Sequence, residues 1–87
     1  MVSLGERFGV NLKRCRQRAG MSQRHLARIT ELDPTAISFF EHGKRTPRLD
    51  TLVKLIGALD CRADELVEGL TWTGNLDAYG SFEVTDA

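Results

Sequence analysis

The chain has 87 residues, 41% of them hydrophobic and 28% charged, with 12 basic and 12 acidic side chains and a formal net charge of +0. One small domain fits that length and a helical one can bury a sufficient core, with no room for an added catalytic or ligand-sensing domain. No apolar run approaches the length of a membrane span, and Cys15 and Cys61, far apart in sequence with no secretory leader ahead of them, are expected as reduced intracellular thiols without metal-ligand spacing.

Met1 to Ser3 is expected to fray. From Leu4 to Arg18 the spacing of Phe8, Leu12, Cys15 and Ala19 predicts a helix with an apolar stripe, and Lys13, Arg14, Arg16, Gln17 and Arg18 turn away from it. Gly20 ends that helix as a C′ glycine does. Ser22 is an N-cap for a second helix, and Met21 before it can pack on Leu26 as a hydrophobic staple. Gln23 and Arg24 stand at the helix start, where backbone N–H groups point outward and a phosphate can dock. Leu26, Ala27 and Ile29 are expected to face inward, and small Ala27 permits close approach of the next helix. His25 has no His, Cys or acid at metal spacing, so no metal site is expected.

Asp33 followed by Pro34 starts a third helix with more force. A carboxylate caps the positive helix end, and the proline sits where its missing N–H costs nothing. Leu32 and Ile37 supply a second staple. Only about two turns of helix and a short connection separate the two starts, so the helices must cross steeply. Residues 22–43 therefore read as a helix-turn-helix whose outward helix spans about 33–42. At about 100° per residue, Ile37 and Phe40 share an inward face with Glu41 beside them, while Thr35, Ser38, Phe39 and His42 lie on the other side.

Gly43 ends this helix, and Lys44, Arg45 and Arg48 cluster around Thr46 and Pro47. Those cations either offset their own helix dipole or reach for phosphates. A fourth helix from about Leu49 to Leu59 carries Leu49, Leu52, Val53, Leu55, Ile56 and Leu59, broad enough to close the core from below. A short fifth, Ala63 to about Glu68, presents Leu66 and Val67. The tail holds Trp72, Tyr79, Phe82 and Val84 among glycines, and the Ser81 to Thr85 alternation suggests a short strand. It is expected to fold back on the last helices or to pair with a twin chain.

The neutral total conceals an asymmetry: ten basic residues face four acidic ones up to Arg48, a net +6, and two face eight from Leu49 on, a net −6. Such a dipole orients a molecule on a polyanion.

GMSQRHLA at Gly20 to Ala27, DPTAISFFEHGKRTPRLDTL at Asp33 to Leu52 and ALDCRADEL at Ala58 to Leu66 together resemble the lambda-repressor-like (Xre) helix-turn-helix family of DNA-binding regulators. The likeness runs from about Leu4 to Leu70. It implies an all-α, five-helix DNA-binding domain over residues 1–70, with residues 71–87 as a C-terminal tail and possible dimerisation segment. By the same resemblance, Pro34, Thr35, Ser38 and Phe39 read bases, while Gln23, Arg24, His42, Lys44, Arg45 and Arg48 meet the phosphate backbone. Arg16 pairs with Glu41, tying the first helix to the back of the third. Arg14 or Arg18 on the first helix is an alternative phosphate contact.

Three positions depart from the family pattern. Glu31 stands where a glycine is common, at a position that often needs positive φ. Asp60 replaces the usual helix-ending glycine. Phe39 puts a ring where a long polar side chain is usual, expected either to meet thymine methyl groups or to pack sideways on its own chain.

Double-stranded DNA is thus the expected partner. A homodimer is expected to form through Leu66, Val67, Leu70, Trp72, Tyr79, Phe82 and Val84, acting without cofactor in the cytoplasm of a bacterium or for a phage. A repressor on a palindromic operator is the leading reading. The other is a protein-interaction module, such as an antitoxin that binds a partner and represses its own operon. No Ser/His/Asp or Cys/His pairing and no glycine-rich phosphate loop points to an enzyme.

Overall fold

The computed structural model describes residues 2–75 and 78–85. Five helices and a hairpin follow one another: α1 Leu4–Arg18, α2 Gln23–Thr30, α3 Pro34–Glu41, α4 Leu49–Leu59, α5 Ala63–Leu66, β1 Leu70–Asn75 and β2 Ala78–Val84. Met1, expected to fray, lies outside the described residues, as do Asp77 and Asp86, two of the eight acidic residues counted from Leu49 on.

Ser3 is fixed, not frayed: its hydroxyl accepts from the Glu6 N–H at 3.1 Å and Glu6 Oε1 accepts from its own N–H at 3.3 Å, a reciprocal cap that satisfies two orphan donors. The core gathers Phe8, Leu12 and Cys15 from α1, Leu26 and Ala27 from α2, Ile37 and Phe40 from α3, Leu55 and Leu59 from α4, and Leu66 from α5. Each buried Leu, Ile or Phe among them stabilises the fold by about 1.5–3 kcal/mol relative to exposure. Gly9 sets the distance between α1 and α3, because a Cβ there would overlap the carbonyl oxygens of Phe40 and Glu41.

Four expected core positions are exposed instead. Ala19 is the C-cap, past the last helical turn. In α2 the buried set is Leu26, Ala27 and Thr30, and Ile29 sits about 105° away from its centre. In α4 the inward stripe is Leu52, Leu55, Ile56 and Leu59, which leaves Leu49 and Val53 outside.

The end of α5 comes two residues earlier than expected, and α1 explains how it is closed. The Asn11 amide, fully buried, donates to the carbonyls of Leu66 and Glu68 at 2.9 Å each, and Arg7 Nε donates to Glu68 O at 3.2 Å. Orphan carbonyls of a helix end are thus satisfied by a neighbouring helix. Leu66 is entirely buried in the process, so it belongs to the core and not to a dimer surface.

The tail is a whole antiparallel hairpin, of which the sequence showed only part of the second strand. Leu70 pairs with Val84 and Trp72 with Phe82. Its base is tied to the Gly69 turn by Thr85 N–H donating to Gly69 O at 2.7 Å.

Candidate nucleic-acid interface

Helices α2 and α3 are set by their caps. Ser22 Oγ accepts from His25 N–H at 3.0 Å, and among the described residues the Gln23 and Arg24 N–H groups have no acceptor on the chain. Glu31 ends α2 in the left-handed region at φ 58°, strained for a side chain, while Leu32 N–H donates back to Ala27 O at 2.8 Å. Asp33 Oδ1 then accepts from Thr35 N–H at 2.8 Å, and Pro34 opens α3.

The two faces of α3 separate as the periodicity requires. Ile37, Phe40 and Glu41 are buried, Pro34, Thr35 and His42 are exposed, and Ser38 and Phe39 are half-buried. Pro34, Thr35, Ser38 and Phe39 therefore form one outward strip. His42 Nδ1 lies 2.7 Å from Ser38 O. A carbonyl only accepts, so Nδ1 carries the proton in this contact. The Phe39 ring has Lys44 Nζ at 5.8 Å from its centroid, a cation–π contact worth about 0.5–1 kcal/mol.

Behind α3, Arg16 grips Glu41 with two bonds, Nε to Oε2 at 2.6 Å and Nη2 to Oε1 at 3.0 Å, and its Nη1 donates to Met21 O at 2.8 Å. The hydrogen bond it donates to Glu41 raises the Arg16 pKa further above its ordinary value. Gln23 Nε2 joins the same carboxylate at 3.1 Å. Part of the Gln23 amide is therefore spent inside the protein, and what it offers outward is its remaining amide hydrogen and its backbone N–H.

Around the strip, Arg24, Lys44, Arg45 and Arg48 are exposed, and Arg48 has only a loose approach of 3.8 Å to Asp50. Arg14 and Arg18 are different. They bridge to Glu68 at 2.7 Å and Glu65 at 2.5 Å, so they staple α1 to the α5 region and close part of the charge asymmetry within the fold. Both arginines remain about half exposed, and Arg14 lines the same groove as Gln23 and His42. The Arg18 hydrogen bond holds the Glu65 carboxyl below its ordinary range.

Lys13 and Gln17 instead share a groove of about 350 Å³ with Arg16, Gln23 and His42. Helical periodicity alone puts both on the outer side of α1 and gives neither a role. Their i, i+4 spacing and the offset of Lys13 from Arg16 were the signal available.

Among the described residues no group of His, Cys, Asp and Glu could hold a metal ion. Cys15 and Cys61 are free thiols that the fold brings together. Burial, reinforced by the neighbouring Cys15, pushes the Cys61 thiol up to about 11. No helix among the described residues is long and apolar enough to cross a membrane.

Comparison with known proteins agrees with this architecture. The family described as Helix-turn-helix, HTH_3, matches residues 12–66. The chain is 36% identical over 70 residues to an uncharacterized HTH-type transcriptional regulator from the SPbeta prophage of Bacillus subtilis, YonR, covering 80% of this chain and 65% of that protein. It is 32% identical over 62 residues to a second uncharacterized HTH-type regulator of the same organism, YqaE, covering 71% and 53%. The chain thus spans less than two thirds of the length of these curated relatives. Among solved structures, the restriction-modification controller protein C.AhdI from Aeromonas hydrophila is 36% identical with a TM-score of 0.67, over 70% of this chain and 92% of that one. The P22 c2 repressor in complex with a synthetic operator is 27% identical with a TM-score of 0.66, over 71% and 94%.

Proposed function

The chain belongs to the HTH_3 helix-turn-helix family of transcriptional regulators, and on that premise we propose that it binds double-stranded DNA sequence-specifically and represses transcription as a homodimer on a palindromic operator. The observation that carries this is the outward strip of Pro34, Thr35, Ser38 and Phe39, anchored from behind by Ile37 and Phe40 and flanked by free cations. A helix so exposed fits the major groove, where base edges are distinguishable. Gln23, Arg24, His42, Lys44, Arg45 and Arg48 lie at its borders and hold the phosphates, which positions the strip without reading sequence. Two copies place two such helices about one helical turn apart, which matches a palindrome. Such a protein works in the cytoplasm, where the DNA is.

Selecting bound duplexes from a random pool at fixed salt tests the reading. Enrichment of a symmetric sequence with two half-sites supports it, and an unenriched pool removes it. Exposed Trp72, Tyr79 and Phe82 favour one second reading, an antitoxin-like module that grips another protein. Stoichiometric co-purification of a partner would favour that reading.

A further inference from the structure

The cations of α1 do not share one fate. Arg7 donates to the Glu68 carbonyl, Arg14 is bridged to Glu68, Arg16 to Glu41 and Arg18 to Glu65. Among the described residues Lys13 alone of this set has no acidic or carbonyl partner, and it is exposed. An ammonium left unpaired on the surface is ordinary, but this one lies in a concave site. The groove of about 350 Å³ joins Lys13 and Gln17 of α1 to Gln23, which opens α2, and His42, which closes α3.

The charges in the groove are unequally spent. Its lining carries three cations, Lys13, Arg14 and Arg16, against the single carboxylate of Glu41. That carboxylate already accepts two bonds from Arg16 and one from Gln23, and its side chain is only 2% exposed. What remains open to a ligand is therefore positive. Lys13 and Gln17 are neighbours at i, i+4 on one helix face, so the ammonium and the amide, both donors, can converge on one anion.

We propose that this groove seats a phosphate of the DNA backbone, with Lys13 neutralising it and Gln17 donating to it, so that α1 joins α2 and α3 in holding the duplex. The inference rests on the DNA reading above and extends it to a helix outside the helix-turn-helix. Continuity favours a duplex over a separate anion: Gln23 and His42 belong both to the groove and to the proposed phosphate border of the strip. A DNA strand presents a further negative charge about every 3.4 Å of helix axis, so the backbone that reaches this border runs on past it. The contact touches no base edge and adds affinity for every sequence alike.

The test measures the salt dependence of binding to a selected duplex and to its scramble for the full chain, beside Lys13→Gln, Lys13→Arg and Arg18→Gln. The first and last variants lose the same charge, but Arg18 is bridged to Glu65 and does not line the groove. Lys13→Gln should flatten the slope of log affinity against log salt by about 0.9 on both duplexes and bind about 5- to 10-fold more weakly near ~0.1 M salt. Its helical circular dichroism should be unchanged, Lys13→Arg should restore the slope, and Arg18→Gln should keep it. A wild-type slope in Lys13→Gln overturns the proposal, and so does equal flattening by Arg18→Gln, which would mean that the slope follows net charge and not a contact. A duplex preference with no effect of Lys13 would sink this contact and spare the sequence-specific reading. A Lys13-dependent slope with no preference between the duplexes would do the reverse.

Discussion

Arg16 and Glu41 hold each other from opposite sides of the helix-turn-helix, joined by bonds of 2.6 and 3.0 Å with only 2% of the Glu41 side chain exposed. The pair lies behind the outward strip of Pro34, Thr35, Ser38 and Phe39 and ties α3 to α1. Removing one partner leaves a buried charge alone, which costs about 3–5 kcal/mol. Arg16→Ala should therefore lower unfolding free energy by that order in urea melts. A loss under about 1 kcal/mol, the range of exposed pairs, would show that the bridge is not structural.

Asn11 is a second internal fastener. Asn11→Ala leaves the buried Leu66 carbonyl without its donor, at a cost of about 1–3 kcal/mol, while Glu68 O keeps only the bond from Arg7 Nε. The expected result is destabilisation concentrated in α5 and the hairpin, read as faster amide exchange there than in α2 and α3. Uniform exchange across the chain would contradict the role.

The sequence made α1 to α4 legible because caps and periodicity act locally: Ser22, Asp33 and Pro34 mark helix starts that the fold keeps. The left-handed φ at Glu31 and Asp60 was legible too, since both stand where glycine is usual. What escaped depended on contacts distant in sequence. Asn11 reaches across 55 residues to Leu66, Gly9 matters only because α3 lies against it, and Arg14 and Arg18 pair with acids near α5. The first strand was missed for a different reason: LTWTGN alternates weakly and gains its register from β2.

The proposed phosphate contacts of Lys44 and Arg45, and one from Lys13 in the groove beside Gln23 and His42, are read from salt dependence. Each neutralised phosphate contributes about −0.9 to the slope of log affinity against log salt. Lys44→Gln, Arg45→Gln and Lys13→Gln should each flatten that slope by about one counterion and weaken all duplexes alike. A change of sequence preference with an unchanged slope would remove the residue concerned from the phosphate set.

Arg18 and Glu65 predict a pH dependence of stability. The folded Glu65 carboxyl titrates below its unfolded value, so its contribution is complete above the usual carboxylate range near pH ~4.3 and is lost as pH falls through the folded value. Glu65→Gln should remove that part of the acid sensitivity while leaving stability at neutral pH and high salt nearly unchanged. An acid-unfolding curve identical to wild type would contradict the assignment.

The account depends most on the outward strip of α3, and one titration addresses it directly. Fluorescence anisotropy at physiological salt compares wild type with Thr35→Ala, Ser38→Ala and Phe39→Ala on a selected duplex and on its scrambled sequence. Wild type should bind the selected duplex about 10³-fold or more tightly than the scramble, and each strip variant should shrink that ratio while leaving affinity for the scramble unchanged. A wild type that binds both duplexes equally, or strip variants that keep the full ratio, would contradict it.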